Sequence, residues 1–141
     1  MFDIELPFYL HEIKNLSFIL EFDYKIIRNK LKDNYESIIK KDNLSSIRKI
    51  KKYSDIDTIL NDIYKESYEL TPTDFYFISK NHEVKIILYS NKYANSYEEM
   101  IWGENYQRTI ILYHYLEIDP TNKKNLKYIL GFIKINDKYI N

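Results

Sequence analysis

The spacing of the apolar residues changes once along the chain, near Pro72, and that change restricts the fold more than any other feature. Before it, Ile13, Leu16, Leu20, Tyr24, Ile27, Leu31, Tyr35 and Ile38 recur at steps of three and four. That spacing lines one stripe of a helix. Leu16 to Phe22 also reads as a short strand, but the longer periodicity favours helix. Asp42-Asn43 and Ser45-Ser46 mark a break, after which Ile47 and Ile50 begin a short helix. A further helix starts at Ser54-Asp55 and carries Ile56, Ile59, Leu60, Ile63, Tyr64, Ser67 and Tyr68 on one face. It is predicted to end near Leu70, because the residue before a proline is pushed out of helical conformation.

After Pro72 the step falls to two. Phe75 to Ser79 and Glu83 to Tyr89 read as strands around a hairpin loop, Lys80-Asn81-His82. A polar and partly helical connection is expected from Asn91 to Trp102, capped by Gly103. Two long strands follow, residues 107–118 and 126–136, joined by DPTNKKN. The pattern predicts an α+β fold in one domain, residues 1–141. N-terminal helices (8–70) are expected to pack on a C-terminal antiparallel sheet of about four strands (75–136).

The register of the last hairpin follows from its side chains. Pairing Ile118 with Leu126 puts Glu117 opposite Lys127 and Tyr113 over Gly131, and aligns Leu112 with Phe132 and Leu116 with Tyr128. One face then carries Ile110, Leu112, His114, Leu116, Leu126, Leu130 and Phe132. The other carries Thr109, Ile111, Tyr113, Tyr115, Ile129, Ile133 and Ile135. Neither face is polar, so both need cover. The tyrosine-bearing face is the candidate for a partner, with Tyr113, Tyr115, Ile129 and Ile133 as its contact residues, since Tyr is enriched at binding hot spots.

Several chemistries have no residues to carry them. The chain has no cysteine, hence no thiolate nucleophile, disulfide or Cys-ligated metal. Its three histidines, His11, His82 and His114, are not spaced as a ligand pair. Two glycines cannot build a phosphate-cradling loop. Pro72-Thr73-Asp74 followed by Glu83-Val84-Lys85 resembles a metal-nuclease signature. On the hairpin reading the two carboxylates lie roughly 16–20 Å apart at ~3.3 Å per residue, too far to share a cation. Asp74 is then turn chemistry beside Pro72, and the expectation is no catalytic residue, no metal and no cofactor.

Charge is uneven although the total is zero. From Tyr24 to Lys52 there are ten Lys and Arg against three acids, a net of +7 balanced by −7 elsewhere. The densest run is Lys40, Lys41, Arg48, Lys49, Lys51 and Lys52, a candidate patch for nucleic-acid backbone. The twenty-three Ile, eighteen Lys, thirteen Asn and fifteen Tyr are what an AT-rich genome over-supplies. Acids stand near the N-terminus where a signal peptide is basic, and no apolar run nears the ~20 residues of a membrane helix. A cytoplasmic protein is expected.

Together these readings favour a small non-catalytic protein that binds and neutralises a partner protein: an immunity protein, an antitoxin or a phage- or virus-type inhibitor. A homodimer is compatible with the same face. Two alternatives stay open: a nucleic-acid-binding protein using residues 40–52, and a small-molecule pocket or enzyme in a curled sheet around His114.

Overall fold

A computed structural model describes residues 2–5, 12–41, 60–94, 96, 98–118 and 124–135. The chain divides into two compact units, residues 11–81 and residues 82–141 together with 1–10. The first is helical and the second is a sheet, so the fold class is α+β.

The helical unit holds α1 (Glu12–Leu20), α2 (Tyr24–Lys41) and α3 (Pro72–His82). The expected stripe is interrupted between its first two helices. Glu21 takes a left-handed conformation (φ 60°), and the Phe22 amide donates to the Ser17 carbonyl at 3.3 Å. This is a Schellman-type stop, with Glu21 where glycine is usual. Asp23 then caps α2, its Oδ1 accepting from the Lys25 amide at 2.9 Å. Ile13, Leu16, Ile27, Leu31 and Tyr35 are buried, as the spacing requires.

Two expectations fail here. Residues 60–62 are helical, but turns follow, so no helix runs on to Leu70. Phe75 to Ser79 is not a strand and Lys80-Asn81-His82 is not a hairpin loop: both lie in α3. The cause is a capping box. The Thr71 amide donates to Asp74 Oδ2 at 2.9 Å, and the Asp74 amide donates to Thr71 Oγ1 at 3.3 Å, with Pro72 at the first helical position. Local capping overrides the strand preference of Phe75, Tyr76, Phe77 and Ile78.

The sheet unit contains β1 (Phe2–Glu5), β2 (Val84–Ser90), β3 (Glu98–Trp102), β4 (Arg108–Ile118) and β5 (Leu126–Ile135). Its order is β1-β5-β4-β2-β3. The sheet is mixed, not antiparallel: β2 and β4 run parallel in the centre, Lys85 opposite Thr109 and Tyr89 opposite Tyr113. It has five strands because β1 pairs with β5, Ile4 opposite Ile133. Residues 98–102 are the edge strand β3, antiparallel to β2, where a partly helical connection was expected. The β4–β5 hairpin has the register read from its side chains, Ile118 opposite Leu126, Glu117 opposite Lys127 and Tyr113 opposite Gly131.

Gly103 (φ 70°) ends β3 rather than a helix. From it the chain crosses the start of β2 in residues 103–107, and the Tyr106 amide closes the turn onto the Gly103 carbonyl at 3.1 Å. Among the described residues no helix is long and apolar enough to cross a membrane.

Candidate functional site

Residues that face each other across neighbouring strands point the same way, so the register assigns every side chain of the sheet to a face. Val84, Ile86, Leu88, Ser90, Ile110, Leu112, His114, Leu130 and Phe132 share one face and are all buried. The opposite face carries Lys85, Ile87, Tyr89, Ile101, Ile111, Tyr113 and Tyr115, all half-buried. Within it Thr109 and Ile129 are buried at 4% and 8% exposure.

The structure brings Tyr113, Tyr115 and Ile129 together on this second face. The two rings lie 5.4 Å apart at 31°. Tyr113 sits over Gly131, where a Cβ would meet its Cζ at 2.5 Å and its hydroxyl oxygen at 2.7 Å. Glycine lets the ring lie against the backbone there, since any side chain would displace it. Burial, then Glu117 and Tyr113, pushes the Tyr115 phenol up to about 12. The Ile133 backbone pairs with Ile111; its side chain lies outside the described residues. Ile87, Tyr89 and Ile101 extend the face; the sequence pattern hides the first two by pairing Glu83 to Tyr89 with residues 75–79, and hides Ile101 by making 91–102 a connection. Their signal was the alternation of residues 84–90, which holds for any neighbouring strand.

His114 lies on the buried face, 1% exposed. Its Nδ1 shares a hydrogen with Ser90 Oγ at 2.7 Å, and Ser90 Oγ accepts the Lys92 amide hydrogen at 3.0 Å. The rings of Tyr93 and Tyr128 stand edge-on to the imidazole at 5.8 and 6.1 Å. Among the described residues Nε2 has no hydrogen-bond partner. Burial and then Lys92 lower its pKa to about 4, so the ring is neutral at pH 7. A Ser–His hydrogen bond is the start of a nucleophile, but with Ser90 and His114 each 1% exposed no substrate reaches it.

Asp74 is the most densely bonded carboxylate described. Besides the Thr71 amide it accepts from the hydroxyls of Tyr35 and Tyr68, the latter at 2.5 Å. Burial and the Asp74 charge raise both phenols far above their ordinary value, so they stay protonated as donors. Asp74 thus ties α2, α3 and the chain before α3 together and is more than turn chemistry. Glu83 lies past the far end of α3, roughly 14 Å away at ~1.5 Å rise per residue. A helix, not a hairpin, separates the nuclease-like pair. Among the described residues no three His, Asp or Glu are grouped to hold a metal.

The basic run is not placed. Arg48, Lys49, Lys51 and Lys52 lie outside the described residues, and so do the side chains of Lys40 and Lys41 at the end of α2.

A cleft of about 590 Å³ opens where residues 103–107 cross the start of β2, lined by Lys85, Glu104, Tyr106, Gln107, Arg108 and Thr109. No motif marks it in the sequence, since its residues come together only through the parallel β2–β4 pairing. No protein-family model matches the chain, nor does any curated protein or solved structure.

Proposed function

We propose that this chain is a non-catalytic protein-binding module that docks a partner protein on the Tyr113–Tyr115 face of its sheet. An immunity protein, an antitoxin or a phage- or virus-type inhibitor would act in this way. One observation carries the reading: between Lys85 and Tyr115 this face, rich in Ile and Tyr, stays largely half-exposed, while on the other side of the same strands Val84 to Ser90 and Ile110 to His114 present buried side chains. A contiguous apolar surface of that kind marks an interaction site more often than a bare surface. Tyrosine suits it, because the ring buries area while the hydroxyl tolerates water. The cysteine-free composition suits a reducing compartment, so the reading places the module in the cytoplasm.

The test is capture from the native host with immobilised wild-type chain and with the Tyr113→Ala, Tyr115→Ala double variant. A protein retained by the first and lost by the second, with the variant still folded, supports the reading. A partner held equally by both overturns it.

A further inference from the structure

We propose that the helical unit binds the backbone of a single-stranded nucleic acid along a row of alternating cations and tyrosines: Lys14, Tyr24, Arg28, Tyr64 and Lys32. The row contains none of residues 40–52 and is independent of the sheet-face reading.

Two helices and one turn build it. Tyr24, Arg28 and Lys32 recur every four residues along one side of α2. Lys14 comes from α1, and Tyr64 from the turn after residues 60–62. The Tyr64 hydroxyl donates to Asn29 Oδ1 at 3.0 Å, which holds its ring against α2. Lys14 Nζ and Arg28 Cζ lie 5.1 and 5.2 Å from the centre of the Tyr24 ring. Arg28 Cζ and Lys32 Nζ lie 4.7 and 5.6 Å from the centre of the Tyr64 ring. Each ring thus has two cations beside it, and Arg28 is shared by both.

The positive charge of this row is poorly matched. Lys14 and Lys32 meet Glu66 and Glu36 at 3.8 and 3.7 Å, partly solvated pairs of the kind that contribute little. Arg28 is half-buried and has no carboxylate partner among the described residues. Its Nε is buried without a hydrogen bond there. A guanidinium stripped of water and given no acceptor costs stability, so it marks a place where an anion belongs. The whole of α2 carries six Lys and Arg against two acids.

The order of the groups selects the class of ligand. Three cations in a row, rather than around one point, suit a chain of anions more than a single one. An acidic peptide would use the cations and leave the rings idle. In a duplex the base faces are stacked on one another, away from a side-chain ring beside the backbone. In a single strand the bases turn out and stack on aromatic rings or Arg planes while Lys and Arg follow the phosphates.

The experiment is fluorescence anisotropy of the full chain with a labelled single-stranded oligothymidylate, repeated over a series of salt concentrations. Its duplex with oligoadenylate and unlabelled polyglutamate serve as competitors. We expect affinity to fall with salt, and the single strand to outcompete both. Arg28→Gln should weaken binding about tenfold or more and make the logarithmic salt slope shallower by about 0.7. Lys32→Gln, a substitution at the solvated end of the row, should lower the slope by the same amount with the melting temperature unchanged. Tyr24→Leu and Tyr64→Leu should weaken binding about fivefold or more and leave the slope alone, because they remove stacking and not charge. Circular dichroism checks that each variant is folded. Wild-type affinity and slope in both cation variants overturn the proposal and move any binding elsewhere on the chain. A duplex that competes as well as the single strand overturns it, as does polyglutamate that competes at equal charge. Absence of binding at low salt and micromolar protein also overturns it.

Discussion

The two faces of the sheet are built from alternate residues of the same strands and differ in what they meet. On β4, Ile110 and Leu112 are buried at 0% and 1% exposure, while Ile111 and Tyr113, one residue along, are half-buried. Isoleucine stands on both sides, so hydrophobicity does not tell them apart. Polar groups do. On the buried face the polar residues, Ser90 and His114, are bonded to each other. On the half-open face, apart from the buried Thr109, the polar groups are tyrosine hydroxyls and Lys85, which tolerate or seek water. A tyrosine-bearing face opposite an aliphatic one signals which side is left open.

The largest expected difference comes from truncating neighbours. Leu112→Ala leaves a cavity on the buried face and should cost about 2–5 kcal/mol of unfolding free energy. Ile111→Ala, on the half-open face, should cost about 1–2 kcal/mol, since partial exposure lowers the transfer loss and lets water refill the space. Urea denaturation of the two variants checks this. Equal losses would break the comparison and mean that both faces are covered.

A second contrast comes from pH. His114 has a folded pKa of about 4 against an ordinary 6.5. Between those values the unfolded chain binds a proton that the folded chain refuses. The contribution of this group is thus complete above pH 6.5 and is lost as pH falls from 6.5 to about 4. The loss is of the order of 3 kcal/mol for two and a half units at ~1.4 kcal/mol each. His114→Gln should flatten the wild-type stability curve in that window. An unchanged slope would show that the imidazole is solvated and that the buried face is open at this point.

The hairpin of these contrasts was legible in the sequence to the residue, for a physical reason. A short connection restricts β4 and β5 to a few registers, and Glu117 with Lys127 and Tyr113 with Gly131 choose among them. The parallel partner of β4 was not legible. Ile87 and Tyr89 alternate equally well beside residues 75–79 or beside β4, and only the helix α3 removes the first choice. That helix had a signal, Thr71-Pro72-Thr73-Asp74, a capping box read as a turn because aromatic and β-branched residues followed it. The partners of Asp74 could not be read, since Tyr35 lies thirty-nine residues away. The cleft around Lys85 was hidden for the same reason: its lining depends on a long-range strand pairing.

A smaller effect sharpens the account of the half-open face. Gly131→Ala places a methyl within 2.5 Å of Tyr113 Cζ, so the ring must move. The atoms it meets are the far end of a side chain, which can swing outward, and the cost should be about 1 kcal/mol, at the low end of overpacking. In a Tyr113→Ala background the same substitution should cost nothing or stabilise, because the clash is gone and glycine's chain entropy is removed. A double-mutant cycle by thermal unfolding reads the coupling directly. Additive losses would place the ring away from Gly131.

The smallest effect on folding should fall at Tyr115, and this is where stability and binding separate. Its ring is half-buried and touches Tyr113 at 5.4 Å, on a stretch of β4 beyond the last described residue pair with β2. Tyr115→Ala therefore gives up a partly solvated contact and should cost under about 1 kcal/mol of folding. At a binding face the same truncation should weaken partner binding by about 1–3 kcal/mol, the usual range for an interface aromatic. Tyr115→Phe distinguishes the parts of the side chain. If the ring provides the contact and the hydroxyl stays in water, the Phe variant binds as the wild type does. Alkaline titration followed by tyrosinate absorbance gives an independent reading of the same exposure. Free Tyr115 should ionise near pH 12, above an ordinary phenol at 10, and partner binding should raise that value as the ring loses its remaining water. A Tyr115→Ala melt lowered as far as that of Leu112→Ala would make the residue core, and the face would then be no docking surface.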